Sequence, residues 1–226
     1  MAIQVYKTLS KIVGIILALV GVGALYGAMF ANSFITAQFE DQNIHFPSEE
    51  AINAQVEQGR ITEEDAQVIR PYADQILLNG DQAKAFADHY IFAHMRNSAK
   101  KAGLEGEEAT YEGAGDPARE AKTALTDRIK ADNPSDDEAT IAAKTTIEMA
   151  NPLSTYPEAK RAAELDSLRN EVLFRGNAIR GMLLNAYGWG LLGKIANVAG
   201  IALIIIGIAL AGWGFIPSKK NTEAAA

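Results

Sequence analysis

Two long stretches of the chain carry no charge, and a polar region with a different pattern separates them. Ile12 to Ala31 (IVGIILALVGVGALYGAMFA) is twenty residues without an ionisable group of an acid or base. Ile195 to Ile216 (IANVAGIALIIIGIALAGWGFI) has Asn197 as its one strongly polar side chain. A helix rises about 1.5 Å per residue, so twenty residues reach about 30 Å, the thickness of a bilayer core. Both runs therefore predict membrane-spanning helices. Lys7 and Lys11 before the first run would also begin a secretory signal. That run exceeds the usual ~7–15 apolar residues of a signal, and no small-x-small cleavage site follows. An uncleaved anchor is the expectation. Tyr26, Phe30 and Phe34 near one end of the first run suit the membrane interface, as do Tyr187, Trp189, Trp213 and Phe215 around the second.

Between the runs no segment alternates apolar and polar over a strand's length, and the signals are helix starts and stops. Ser48-Glu-Glu predicts a short helix ended by Gly59. Thr62-Glu-Glu-Asp65 opens another, broken or kinked at Pro71 and closed by Asn79-Gly80. Asp81 is the expected cap of a strong helix to Ala102, with Gly103 at its C-terminal turn. Asp116-Pro117 starts a helix to about Ala131, and Ser135-Asp-Asp-Glu138 reads as a capping box for one ending near Asn151-Pro152. Residues 103–115, rich in glycine and glutamate, read as a loop.

The last helix starts at Thr155–Glu158. Leu165, Leu168, Val172, Ile179, Met182 and Ala186 follow steps of three and four, except around position 175, and no proline occurs between Pro157 and Pro217. One helix should leave the polar domain and become the second span. Glycines from Gly188 to Gly193 make a bend there the expectation. The predicted fold class is all-α. It has two transmembrane helices flanking an extracytoplasmic helical domain, with the last helix continuous or nearly so into the second span. Residues 1–11 form a cytoplasmic N-terminus, 12–34 the first span, 35–190 the outer domain, 191–216 the second span and 217–226 a cytoplasmic tail.

Charge sets that orientation. Lys7 and Lys11 precede the first span, and Lys219 and Lys220 follow the second. Cations favour the cytoplasmic side, so both termini are expected there, in the cell membrane. The chain carries a net −7, and residues 32–190 hold more than that deficit because both ends are basic. An acidic chain predicts no nucleic-acid partner. With no cysteine, disulfides, thiolate zinc, iron–sulfur clusters and attached c-type haem are excluded.

Candidate chemistry is sparse. His89 and His94 share one helix, five residues apart, which puts them about 140° apart on a regular helix. They would not ligate one metal together, and His45 would have to be brought in. His94 lies with Ala87, Ile91, Ser98 and Ala102 and reads as a hydrogen-bonded packing residue. His89, beside Asp88, reads as more exposed. The run DNPSDDE lacks the glycine and distant glutamate of a calcium loop and is better read as a helix start. No serine-nucleophile, phosphate-loop or dinucleotide motif occurs. No catalytic, cofactor-binding or metal residue is assigned. Small residues in the spans are the remaining candidates. Gly14, Gly21, Gly23 and Gly27 lie in the first, and Ala196, Gly200, Gly207 and Ala211 in the second. Gly23 with Gly27, and Ala196 with Gly200, are the expected helix-packing pairs, against each other or a partner helix.

Three stretches carry a resemblance: KIVGIILALVGV at the first span, AKAFADHYIFAHM followed by Gly103 and Tyr111, and FRGNAIRGMLLNAYGWG before the second span. Over about a third of its length the chain resembles actinobacterial two-span envelope proteins, many labelled aromatic-ring-opening dioxygenases. That label implies an iron enzyme, against which the histidine spacing speaks. A narrower resemblance, by size and layout, is to accessory subunits of actinobacterial cytochrome bc–aa3 respiratory supercomplexes. It implies a non-catalytic accessory subunit in electron transport, without a cofactor of its own. Its partners would be larger membrane subunits, such as the cytochrome bc and aa3 oxidase subunits, and the lipid bilayer. The alternatives are an independent envelope scaffold or ligand-binding membrane protein, homo-oligomeric, and a membrane-anchored enzyme.

Overall fold

The computed structural model of the protein describes residues 2–217, so Lys219 and Lys220 lie outside the described residues. The chain divides into two compact units. The first contains residues 1–44, 77–81 and 185–226; the second contains 45–76 and 82–184. Among the described residues the structure is helical, apart from turns and one isolated antiparallel bridge between His45 and Ile76.

The first unit is built on α1 (Ala2–Gln42) and the C-terminal part of the last helix, α9 (Phe174–Phe215). Helix α1 runs well past the apolar stretch. It ends where Asn43 takes a positive φ of 49° and its amide donates to the Phe39 carbonyl at 3.0 Å. Asparagine tolerates that left-handed conformation better than most residues. The two helices are antiparallel: the Lys7 ammonium donates to the Ile216 carbonyl at 2.6 Å, and Ser10 Oγ to that of Leu210 at 2.8 Å. Both are long and apolar enough to cross a membrane. Only 17% and 11% of their most apolar windows are buried by the chain itself, unlike the core helix of a soluble protein.

Residues 77–81 join this unit. Thr36 Oγ1 donates to the Leu78 carbonyl at 3.0 Å, and Lys194 pairs with Asp81. Gly80 lies against the α9 backbone, where a Cβ would stand 3.1 Å from Tyr187 Cα.

The second unit contains α2 (Glu49–Glu57), α3 (Glu63–Ile69), α4 (Gly80–Phe86, from Gln82 on), α5 (Phe92–Lys101), α6 (Gly115–Asp132), α7 (Glu138–Ala150), α8 (Pro157–Ser167) and the start of α9. Ser48 and Thr62 cap α2 and α3, as their sequence signals require, accepting from the amides of Ala51 and Asp65. Several boundaries differ from expectation. The second helix closes in the 3₁₀ turn Arg70–Tyr72, where Pro71 ends it, rather than at Asn79-Gly80. Asp81 and Asp116 lie inside first turns rather than at N-caps. Asp137, not Ser135, caps α7 by accepting from the Thr140 amide at 2.8 Å. That bond holds the Asp137 carboxyl below its ordinary pKa. One apolar cluster gathers Met95, Ala99, Leu104, Leu165, Leu168 and Leu173; another gathers Leu125, Ile129, Ile141, Ala159 and Ala162.

Two π-helical segments decide which faces are buried. Ala87–Ile91 separates α4 from α5, and Leu168–Leu173 separates α8 from α9. A π turn holds an extra residue, so the inward stripe moves by one position. After Leu165 and Leu168 the buried residues of the second unit are Leu173, Gly176 and Leu183, while Met182 is 66% exposed and Ile179 is exposed. The stripe read through Val172, Ile179 and Met182 is therefore displaced. The helix stays α-helical through Gly188–Gly193, so the irregularity lies at 168–173 and not at those glycines.

Candidate functional site

Residues of α1 and α9 meet along a seam that repeats every seven positions. A Cβ on Gly14 would lie 2.5 Å from the Ala211 nitrogen and 2.6 Å from the Gly207 oxygen. On Gly21 it would lie 2.6 Å from the Gly200 oxygen, and on Gly214 2.5 Å from Lys11 Cγ. Side-chain atoms essentially never approach backbone so closely, so only glycine fits at the first two positions. Ala28 is buried at the next α1 step, with Gly193 close to its carbonyl. Seven residues are nearly two turns, which keeps Gly14, Gly21 and Ala28 on one face and Gly193, Gly200, Gly207 and Gly214 on the other. In lipid the gain from such a seam is close packing, because hydrocarbon tails already solvate apolar side chains.

The four packing candidates divide. Gly200 is in the seam against Gly21 and Leu25. Ala196 is half-buried. Gly23 and Gly27 have no other described residue within 4 Å of where a Cβ would stand. Gly23 is two residues, about 200°, from Gly21, so it faces away from α9. The seam residues Ser10, Ala28, Gly193 and Gly214 were not among the packing candidates. The signal for Ala28, Gly193 and Gly214, a glycine or alanine every seventh residue, is present in the sequence; Ser10 falls outside that step.

The second unit holds a polar cleft of about 360 Å³ between α3, the first π segment, α5 and the start of α9. Asp65, from the first turn of α3, has a side chain only 7% exposed. It accepts from His89 Nδ1 at 3.0 Å, from an Arg96 Nη at 2.8 Å and from Thr62 Oγ1 at 2.7 Å. Asp88 accepts from Lys84 at 2.6 Å and from Nε and an Nη of Arg180 at 3.1 and 2.8 Å. Burial alone would raise the Asp88 pKa; the Lys84 and Arg180 bonds and charges outweigh it and hold the carboxyl below its ordinary range. Both guanidinium groups stand over the Phe92 ring, Arg180 at 4.5 Å and Arg96 at 5.0 Å from its centroid. The π segment puts Asp88 and His89 on this lining.

His94 turns elsewhere. Its Nε2 donates to Gln55 Oε1 at 2.8 Å, and its ring meets Tyr90 edge-on at 4.7 Å. It is the hydrogen-bonded packing residue expected. Burial, with the positive charges of Arg60 and Lys101, lowers its pKa. His89 is not simply exposed beside Asp88: it is tied to the buried Asp65. The 140° separation assumed a regular helix, which the π segment interrupts, yet the two rings still reach different partners. Among the described residues no three His, Asp or Glu side chains are placed to hold a metal ion. Thr62 and Asp65 were legible as a capping box; Arg96 and Arg180 carried no signal, because α5 and α9 meet only in the folded unit.

Comparison with family models, with curated proteins and with solved structures gives no match to this chain.

Proposed function

We propose that the protein is a non-catalytic accessory subunit of a larger membrane complex, anchored by α1 and α9 with both termini cytoplasmic and the second unit outside. The observation that carries this reading is the division of glycines between two faces of α1. Gly14 and Gly21 are used up inside the chain, whereas Gly23 and Gly27 leave a shallow groove that none of the described residues fills. Large side chains beside that groove, Val20 and Phe30 among them, are more than half exposed. Such a surface suits a helix of a neighbouring subunit. Neither span carries an ionisable group at its middle, which supports a packing role over an ion or proton path. The sequence resemblance makes cytochrome bc and aa3 oxidase subunits the first partners to test.

Purification of a tagged chain in mild detergent, followed by mass spectrometry and a haem spectrum, tests the reading. Stoichiometric haem-bearing subunits are expected. A Gly23→Leu/Gly27→Leu double variant should stay in the membrane and lose those subunits, whereas high salt should not release them from the wild type. A clean homo-oligomer without haem, or full retention by the double variant, defeats the proposal.

A further inference from the structure

The polar cleft of the second unit has binding capacity that its own ion pairs leave unused. We propose that it binds a small oxyanion, a carboxylate or a phosphate- or sulfate-type group, between the guanidinium groups of Arg96 and Arg180 and the ring of His89. A guanidinium carries five N–H donors. Arg96 spends one on Asp65, and Arg180 spends two on a single oxygen of Asp88. Each retains further donors. His89 commits its Nδ1–H to Asp65, and in the imidazolium form its Nε2–H is a second donor, the one an oxyanion would take.

These groups are held in place before any ligand arrives. Asp65 anchors Arg96 and His89, Asp88 anchors Arg180, and the Cζ atoms of both arginines stand over the Phe92 ring. The fold has already met most of the ordering cost that binding would otherwise impose. The two inner carboxylates do not repel an anion strongly, because each is compensated: Asp65 by Arg96, and Asp88 by Lys84 and Arg180. A cation would find the opposite, since the Phe92 ring already carries two guanidinium groups and both aspartates are paired. The volume of about 360 Å³ admits a small molecule, and Glu64 on the lining works against a polyanion.

The test uses the full chain in detergent at one pH and constant ionic strength. Histidine ring signals are followed by NMR while sodium sulfate, or separately sodium malonate, is added. The His89 signal should shift saturably, and those of His45 and His94 should not. Arg96→Gln and Arg180→Gln should each weaken binding by about tenfold or more with an unchanged helical circular-dichroism spectrum. Saturation by both anions indicates a general oxyanion site, and by one alone a carboxylate or a sulfate-type site; each supports the proposal. A His89 shift that stays linear in both anions overturns it, as does binding unchanged in both variants. If a variant loses its helical spectrum, Arg180→Lys takes its place: it keeps the charge, removes the fork and should still weaken binding.

Discussion

At the residue scale, Asp65 and His94 of the second unit show two ways in which a buried or half-buried polar group is accommodated. Asp65 receives three donors within 3.0 Å, and an unpaired carboxylate at 7% exposure would be costly. His94 solves the problem differently, by remaining neutral. Its folded pKa lies below the ordinary 6.5, because burial and the Arg60 and Lys101 charges disfavour the imidazolium. Between that lowered value and 6.5 the unfolded chain binds more protons than the folded one. The contribution is complete above 6.5 and is lost as the pH falls through the folded value. Asp88 loses its own contribution only below its ordinary value of 3.8. His94→Gln, which can still donate toward Gln55, should reduce the fall in thermal midpoint between pH 7 and pH 5. An identical fall in wild type and variant would show that His94 does not titrate in this way.

At the element scale, the π segments are what a helical wheel could not supply. The caps Ser48 and Thr62, the break at Pro71 and the presence of two long apolar helices were legible, because local chemistry sets them. The face buried after residue 168 was not, because one extra residue per turn rotates everything downstream by about 100°. The irregular step around position 175 was the only trace of it. Deletion therefore has opposite consequences at two nearby sites. Removing Asn170 from the π segment should restore an α-helix and keep Leu173 and Leu183 facing inward, with little change in thermal midpoint. Removing Ala178 from regular α-helix should swing Arg180 from Asp88 and Leu183 from its buried position, at a cost of about 3 kcal/mol or more. Equal losses in both variants, measured by thermal unfolding, would contradict this account.

At the scale of the whole molecule, the helix pair brings residue 7 to residue 216, so both ends of the spans lie at one end of the pair. The proposed topology puts that end in the cytoplasm. Single cysteines can report on it cleanly, since the chain has none. In intact cells an impermeant thiol reagent should label Ser98→Cys and leave Gln4→Cys unlabelled until the cells are opened. Labelling of Gln4→Cys with protection of Ser98→Cys would reverse the orientation.

The apolar runs determined two long helices without knowledge of the fold, because twenty uncharged residues have few other uses. Ser48, Thr62 and Pro157 likewise determined where α2, α3 and α8 begin. The seven-residue recurrence of Gly14, Gly21 and Ala28, and of Gly193, Gly200, Gly207 and Gly214, was also written in the sequence. Only the tertiary structure decided that this seam, and not Gly23 with Gly27, joins the two helices: every glycine permits close approach, and the partner backbone selects which ones receive it. It also decided the cleft. Asp65, the His89–Arg96 stretch and Arg180 lie far apart in the chain, and their pairing follows from packing around Phe92 that no local signal encodes.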